Sequence, residues 1–255
     1  MALNGTYDVL TVPLLLPKTV VQSLLPPSLR DLTPSVLLPI PTSVLSACHF
    51  PPNEGSSEEK HLVVLQFGSQ KGAGPSIIGM NFQEAKLEIP YVRHPKCKDE
   101  QRDFQFKQKC IFSNRIVSTS ASHLTGLNSS LTSFTPPQSP WEDADGAEVI
   151  TYSADGFFDV TAKLMTEGKE AMQAEGAKTL KELSEAWWYG DRTGTVITRF
   201  DFDEPSIGPT AYNVTVRLNL TAFPSDAKDT TGEMETYESV GVRWRSSYVA
   251  RVDKV

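Results

Sequence analysis

Along residues 82–92, Phe-Gln-Glu-Ala-Lys-Leu-Glu-Ile-Pro-Tyr-Val, the hydrophobic and polar positions alternate. A strand points successive side chains to opposite faces, so Ala85, Leu87, Ile89 and Tyr91 share one face while Phe82, Glu84, Lys86 and Glu88 share the other. That second face is either the wet side of an amphipathic strand or the lining of a barrel. In a barrel, burial and close charges would set up acid-base chemistry. Residues 61–67 (HLVVLQF) read as a buried strand interrupted by Gln66. Further strands are expected over 104–120, 157–165, 195–203, 212–222 and 240–252. In the 212–222 segment Tyr212, Val214, Val216, Leu218 and Leu220 alternate with Asn213, Thr215, Arg217, Asn219 and Thr221. Helical spacing is confined to two places. Residues 18–25 form a short helix stopped by Pro26-Pro27. Residues 169–188 place Met172, Leu180, Leu183 and Trp187 on one helical face, with Gly176 weakening the middle and Trp187-Trp188-Tyr189 as an apolar plug at the end. The glycine-rich 68–76 segment reads as a hairpin loop, because no helix follows it to cradle a phosphate. Segments 93–103 and 125–148 read as surface loops.

Many strands with hairpin-like spacing and one long helix predict a mainly β (α+β) fold: a closed antiparallel barrel or a sandwich with the helix packed on it. No repeat or separable linker divides the chain, so residues 1–255 are read as a single domain. A chain of 255 residues is long enough to bury a substantial core.

Charge and composition then remove function classes. A net charge of −7 opposes nucleic-acid binding, which needs a basic stripe. No apolar run reaches the roughly 18 residues of a membrane span. The opening residues lack a basic region and are broken by Pro13 and Pro17, which argues against a secretory signal. Cys48, Cys97 and Cys110 fit a reduced compartment, and the cytoplasm is the expected location. No His, Cys or Asp grouping has the spacing of a zinc site, so no metal and no cofactor are expected.

Two segments carry a family resemblance. Tyr7 through Leu29, with its LPKTVVQSLLPPSL run, is similar to the opening strand, short helix and proline turn of the acetoacetate decarboxylase family. Phe82-x-Glu84-x-x-x-x-Ile89-Pro90 resembles that family's aromatic-x-Glu-x-x-x-x-Ile-Pro strand. Residues 157–165 and 238–252 resemble later strands, so the resemblance covers nearly the whole chain. It implies a closed antiparallel barrel or cone with a ligand-sized cavity, and a Glu84 that faces inward as a catalytic residue. It also implies a small keto or enol substrate, and, since family members often assemble, leaves a homo-oligomer open. The departure is as informative. Members that decarboxylate acetoacetate carry a Gly-x-Pro-Lys-Lys-like segment whose first lysine forms an imine, its pKa lowered by the second. The corresponding stretch, Ser120–Ser130, has Asn128, Ser129 and Ser130 in that place, and no arginine stands near residues 7–12 where the family has one.

Candidate roles follow. Glu84 is the expected general acid or base at a carbon beside a carbonyl. Lys86 either holds Glu84 ionised, acts as a displaced amine nucleophile, or is a rung in a surface Glu-Lys-Glu ladder. His123 could shuttle protons next to the altered segment, or be structural. Gln66 could orient a substrate oxygen or find purely structural partners. Phe82 and Asn128 complete the wall; Lys163 is an alternative imine former or a surface partner of Asp159. Arg243, with Arg245 on the same face, could meet a substrate carboxylate. The function expected is cofactor-independent acid/base chemistry on a keto or enol substrate: isomerisation, dehydration, cyclisation or decarboxylation of a β-keto acid, in specialised metabolism. The alternatives are a non-catalytic small-molecule-binding barrel and a lyase with a relocated Schiff-base lysine.

Overall fold

The computed structural model describes residues 3–51, 59–74, 79–99, 102–141, 147–190, 195–224 and 232–255. In chain order, β1 (Leu3–Pro17) leads into three short helices, α1 (Lys18–Leu24), α2 (Pro27–Arg30) and α3 (Thr42–Ala47). Three strands follow, β2 (Lys60–Gly74), β3 (Met80–Val92) and β4 (Phe104–Phe112), and then α4 (Arg115–Thr125). Short strands β5 (Ser129–Leu131) and β6 (Phe134–Thr135) precede the hairpin of β7 (Val149–Ala154) and β8 (Phe158–Leu164). The long helix comprises α5 (Lys169–Ala171), a π-helical turn (Met172–Gly176) and α6 (Ala177–Glu185). Strands β9 (Trp188–Tyr189), β10 (Val196–Phe202), β11 (Ile207–Leu218) and β12 (Glu235–Lys254) finish the chain.

Hydrogen bonding runs β1-β2-β3-β4-β9-β10-β12, and β12 returns to β1, so these strands close a ring. β12 makes this possible by its length. Its residues 242–250 pair with β1, 248–254 with β10 and 235–245 with β11. From there β11, β8, β7 and β6 extend as a second layer. Most pairings are antiparallel, as the sequence predicts, but β4–β5 and β4–β9 are parallel.

Contacts between strands that are not neighbours identify the lumen. The Lys86 ammonium of β3 lies over the rings of Tyr7 (4.4 Å) and Phe200 (5.1 Å), on β1 and β10. Tyr248 of β12 reaches Gln70 of β2. The opposite, outer face packs on the second layer, where Phe67 lies 5.1 Å from Tyr152 and 5.7 Å from Phe158 between ring centroids. β3 therefore has a buried face on each side, apolar toward the second layer and charged toward the lumen, and Leu87 and Lys86 are both buried.

The long helix closes one end of the lumen. Leu180 and Leu183 pack with Leu62, Val64, Val9 and Trp244. Gly176 sits where an added Cβ would lie 2.4 Å from the Met172 sulfur and 3.0 Å from the Ala47 carbonyl oxygen. The residue that weakens helix propensity therefore allows close packing on α3. No described helix is long and apolar enough to cross a membrane.

Two expectations are corrected. Residues 115–125 are helical, not a continuation of the preceding strand. The Asn114 side chain accepts hydrogen bonds from the Ile116 and Val117 amides, and Gly126 ends the helix at φ 65°. Val117 and Ala121, one helical turn apart, then pack against Phe82 and Phe112. The glycine-rich stretch is largely strand, since β2 continues to Gly74; the turn at 75–78 lies outside the described residues.

Candidate active site

The lumen holds two carboxylates and two ammonium groups in alternating order. β3 contributes Glu84, Lys86 and Glu88, and β4 contributes Lys107. A bulge between Leu87 and Glu88 sets Leu87 opposite Lys109 and Glu88 opposite Lys107. The extra residue, Gln108, shifts the alternation so that Lys107 faces the lumen. Lys109, on the other face, instead donates to the Ala222 carbonyl at 2.9 Å.

Each charge has a partner, as burial requires. Lys86 Nζ lies 3.6 Å from Glu84 Oε2, with side-chain exposures of 2% and 5%. Lys107 bonds Glu88. Glu84 also accepts from Gln70 Nε2, whose carbonyl oxygen accepts from the Tyr248 hydroxyl at 2.5 Å. Glu84 thus ends a relay from β12 through β2. The aromatic rings of Trp188 and Phe200 face Lys107 at 4.6 and 5.4 Å.

Burial dominates the acid-base properties. The Lys86 pKa is lowered by burial; Glu84 opposes this and the Lys107 charge adds to it. Burial first, then Glu84 and Glu88, push the Tyr7 hydroxyl well above its usual range. Burial pushes the Cys110 thiol up to about 12. Tyr7, Cys110 and Tyr248, which is raised for the same first reason, remain protonated and can act only as neutral hydrogen-bonding groups near pH 7.

Of the residues singled out from sequence, the structure brings Glu84, Lys86, Gln66 and Phe82 to the lumen. Gln66 lies toward the helix end, donating to Ser184 Oγ at 2.5 Å. Phe82 lies toward α4, edge-on to Phe112. The other four are elsewhere. His123 is exposed on the last turn of α4, because the segment coils as a helix. Asn128 braces backbone, its amide donating to the carbonyls of Gln108 (3.1 Å) and Phe223 (3.2 Å). Lys163 is exposed on β8, outside the ring, and Asp159 pairs with Arg217 at 3.2 Å. Arg243 is buried on the outer face, clamped on Asp8 (3.1 Å) and lying 4.6 Å over Trp141. Arg245 shares Asp8, so that carboxylate already occupies the fork that a substrate would need.

Sequence reasoning missed Lys107, Gln105, Tyr7, Gln70, Tyr248 and Trp188. The alternation in Phe104-Gln105-Phe106-Lys107 puts Gln105 and Lys107 on one face of a strand that pairs with Glu88, Ile89 and Val92, but it does not say which face is the lumen.

Toward the helix end of β3 and β4, a cleft of about 210 Å³ is lined by Pro90, Tyr91 and Asp103 on the strand side and by Thr179, Glu182 and Leu183 on the helix side. A second cleft, about 290 Å³, lies outside the ring by Lys18, Ile40 and His61. The candidate site is placed at the buried charges rather than at either cleft, because Glu84, Lys86, Glu88 and Lys107 are all buried and paired. No group of His, Cys, Asp and Glu suited to a metal ion occurs among the described residues.

No family model and no curated protein matches the sequence. Solved structures match in fold. An acetoacetate decarboxylase superposes with a TM-score of 0.55 at 9% identity, covering 99% of this chain and 89% of that one. The acetoacetate decarboxylase of Legionella pneumophila gives the same score and identity, covering 99% and 87%. The enduracididine biosynthesis enzyme MppR, complexed with pyruvate, gives 0.54 at 9% identity, covering 100% and 90%. The chain has the acetoacetate decarboxylase-like fold.

Proposed function

We propose that the protein is a cofactor-independent enzyme that acts on a small keto or enol substrate in the barrel lumen, with Glu84 as general acid/base. The observation that carries this reading is the Glu84–Lys86 pair, 3.6 Å apart and almost wholly shielded from water. A carboxylate there can remove a proton from the carbon beside a carbonyl. The C–H electron pair becomes the new C=C bond, and the carbonyl π electrons move to oxygen. An ammonium beside it meets the charge that develops on that oxygen, where a low-dielectric site makes it most effective. Returning the proton at another carbon gives isomerisation, and expelling a leaving group gives dehydration. Attack of the enolate on a second carbonyl gives cyclisation, and loss of carbon dioxide from a β-keto acid reaches the same enolate. The fold likeness to acetoacetate decarboxylases and to MppR, whose structures include one with pyruvate and one with a condensation product of pyruvate, supports this substrate class. MppR's place in enduracididine biosynthesis supports a role in specialised metabolism.

The test is solvent exchange. In D₂O, wild-type protein should incorporate deuterium beside the carbonyl of slowly exchanging monoketones and 2-oxo acids faster than buffer does, by NMR. Glu84→Gln should abolish the gain. Binding without exchange across the panel would overturn the enzymatic reading and leave a binding barrel.

A second reading is favoured by one observation: burial and the neighbouring Lys107 charge lower the Lys86 pKa, as an imine-forming amine requires. Incubation with a small β-diketone, borohydride reduction and peptide mass mapping decides it. An adduct on Lys86 establishes a relocated Schiff base, and unmodified lysines exclude one.

A further inference from the structure

Buried polar atoms without a protein partner are uncommon, and each asks for a reason. In this lumen several occur together in the layer between Lys86 and the helix-end cleft. Glu88 Oε2, both amide atoms of Gln105 and Trp188 Nε1 are buried and have no hydrogen-bond partner. Glu88, Gln105 and Trp188 are 1%, 1% and 3% exposed. They are contiguous. Glu88 bonds Lys107, Lys107 lies 4.6 Å over the Trp188 ring, and Trp188 pairs in register with Gln105. One step further along the same strands come Pro90 and Asp103, which line the cleft. Core packing alone would have been served by apolar side chains at Gln105 and Trp188, with no desolvated groups left over.

The geometry points to a specificity subsite in this layer, which receives a neutral substituent of the substrate that both donates and accepts hydrogen bonds, such as a carboxamide. The inference rests on the keto site at Glu84 and Lys86 and adds what the far end of the substrate carries. The unsatisfied set is mixed: Trp188 N–H and the Gln105 NH₂ donate, while Glu88 Oε2 and the Gln105 carbonyl accept. Its fixed charges cancel, since Lys107 answers Glu88. A carboxylate at this level would meet the outward oxygen of Glu88, and an ammonium would meet Lys107, so a neutral group fits best. Glu88 lies two positions beyond Lys86, about 7 Å along β3. A carbonyl at Lys86 therefore places the polar group roughly four bonds away.

A matched pair reads this directly. 5-Oxohexanamide and 6-methylheptan-2-one have the same skeleton, with an amide in one where the other has an isopropyl group. Affinity for wild-type protein is measured by isothermal titration. We expect the amide to bind about tenfold more tightly, despite the greater hydrophobicity of its analogue, because it satisfies buried groups. 5-Oxohexanoate should bind more weakly than the amide. Gln105→Leu should remove the preference while retaining the branched ketone, and Trp188→Phe should reduce it; if one variant fails to fold, the other and the wild-type comparison still decide. Equal binding of the pair, or preference for the branched ketone, overturns the subsite while the keto site stands. Binding of none of the three overturns the keto site, and this inference with it.

Discussion

Replacing Lys107 with Met tests whether the lumen is as dry as its geometry states. The side chains of Lys107 and Glu88 are 3% and 1% exposed and bonded to each other. Methionine preserves most of the stem volume, and its thioether can lie against the Trp188 and Phe200 rings that the ammonium now faces. The change therefore removes a charge with little change in packing. What remains is a buried Glu88 carboxylate without its cation. Breaking a buried pair in this way costs about 3–5 kcal/mol. For a chain of this size that is a fall in Tm on the order of 10 °C. Denaturation followed by circular dichroism gives the loss directly, and reversibility is checked first. The decisive variant is Lys107→Met combined with Glu88→Gln. With neither charge present, most of the loss should return, so the two substitutions should be strongly non-additive. A loss of under about 1 kcal/mol, or simple additivity, would mean that water reaches the pair. It would refute the description of the lumen as a desolvated site, and with it the basis for the lowered Lys86 pKa.

Two further outcomes follow from single positions. His61 is buried and hydrogen-bonded to the Pro90 carbonyl at 3.0 Å, and burial lowers its pKa from 6.5 to about 4. The unfolded chain therefore binds a proton that the folded one refuses. The stability at stake is present above pH 6.5 and is lost as pH falls toward 4, by about 3 kcal/mol. His61→Gln should flatten that part of the stability profile in urea titrations across this range, and an unchanged slope would show that His61 does not govern it. At Gly68 an added Cβ would lie 2.0 Å from the Asp8 carbonyl oxygen, so Gly68→Ala must push β1 and β2 apart. It should cost about 3 kcal/mol or more by denaturant midpoint, and a neutral result would contradict the close approach of these strands.

The legible parts of the sequence were those in which one local pattern has one structural meaning. β3 runs Met80–Val92 and contains the whole alternating run from Phe82, and its two faces separate as period two requires. The long helix was legible from the spacing of Leu180 and Leu183. α4 was misread because Ile116, Val117 and the serines around them have weak helix propensity, whereas the Asn114 cap that starts the helix is a single residue. In the lumen, Glu84 and Lys86 were recognisable as one charged row, but whether that row was wet depended on ring closure between strands at opposite ends of the chain. Lys107 was hidden for a further reason. Its direction depends on the bulge at Gln108, and no short-range signal distinguishes that bulge from regular alternation. Arg243 was expected to meet a substrate because strand parity was visible and its partner was not; Asp8 is 235 residues away in sequence.

The sharing of β12 among three partner strands also governs how the molecule comes into being. Tyr7 pairs with Ser246 and Leu3 with Ala250, while the same strand carries β10 and β11 on its other edge. During synthesis β1 and β2 can form an early hairpin-like pair, yet the other edge of β1 has no mate until β12 leaves the ribosome. Closing so long a loop is slow, and an unpaired edge in the meantime invites association with other chains. Arrival of β12 then completes three seams at once, so the buried charges are sealed in one late, cooperative step. A nascent chain lacking β12 would leave its row of lysines and glutamates on β3 and β4 open to water.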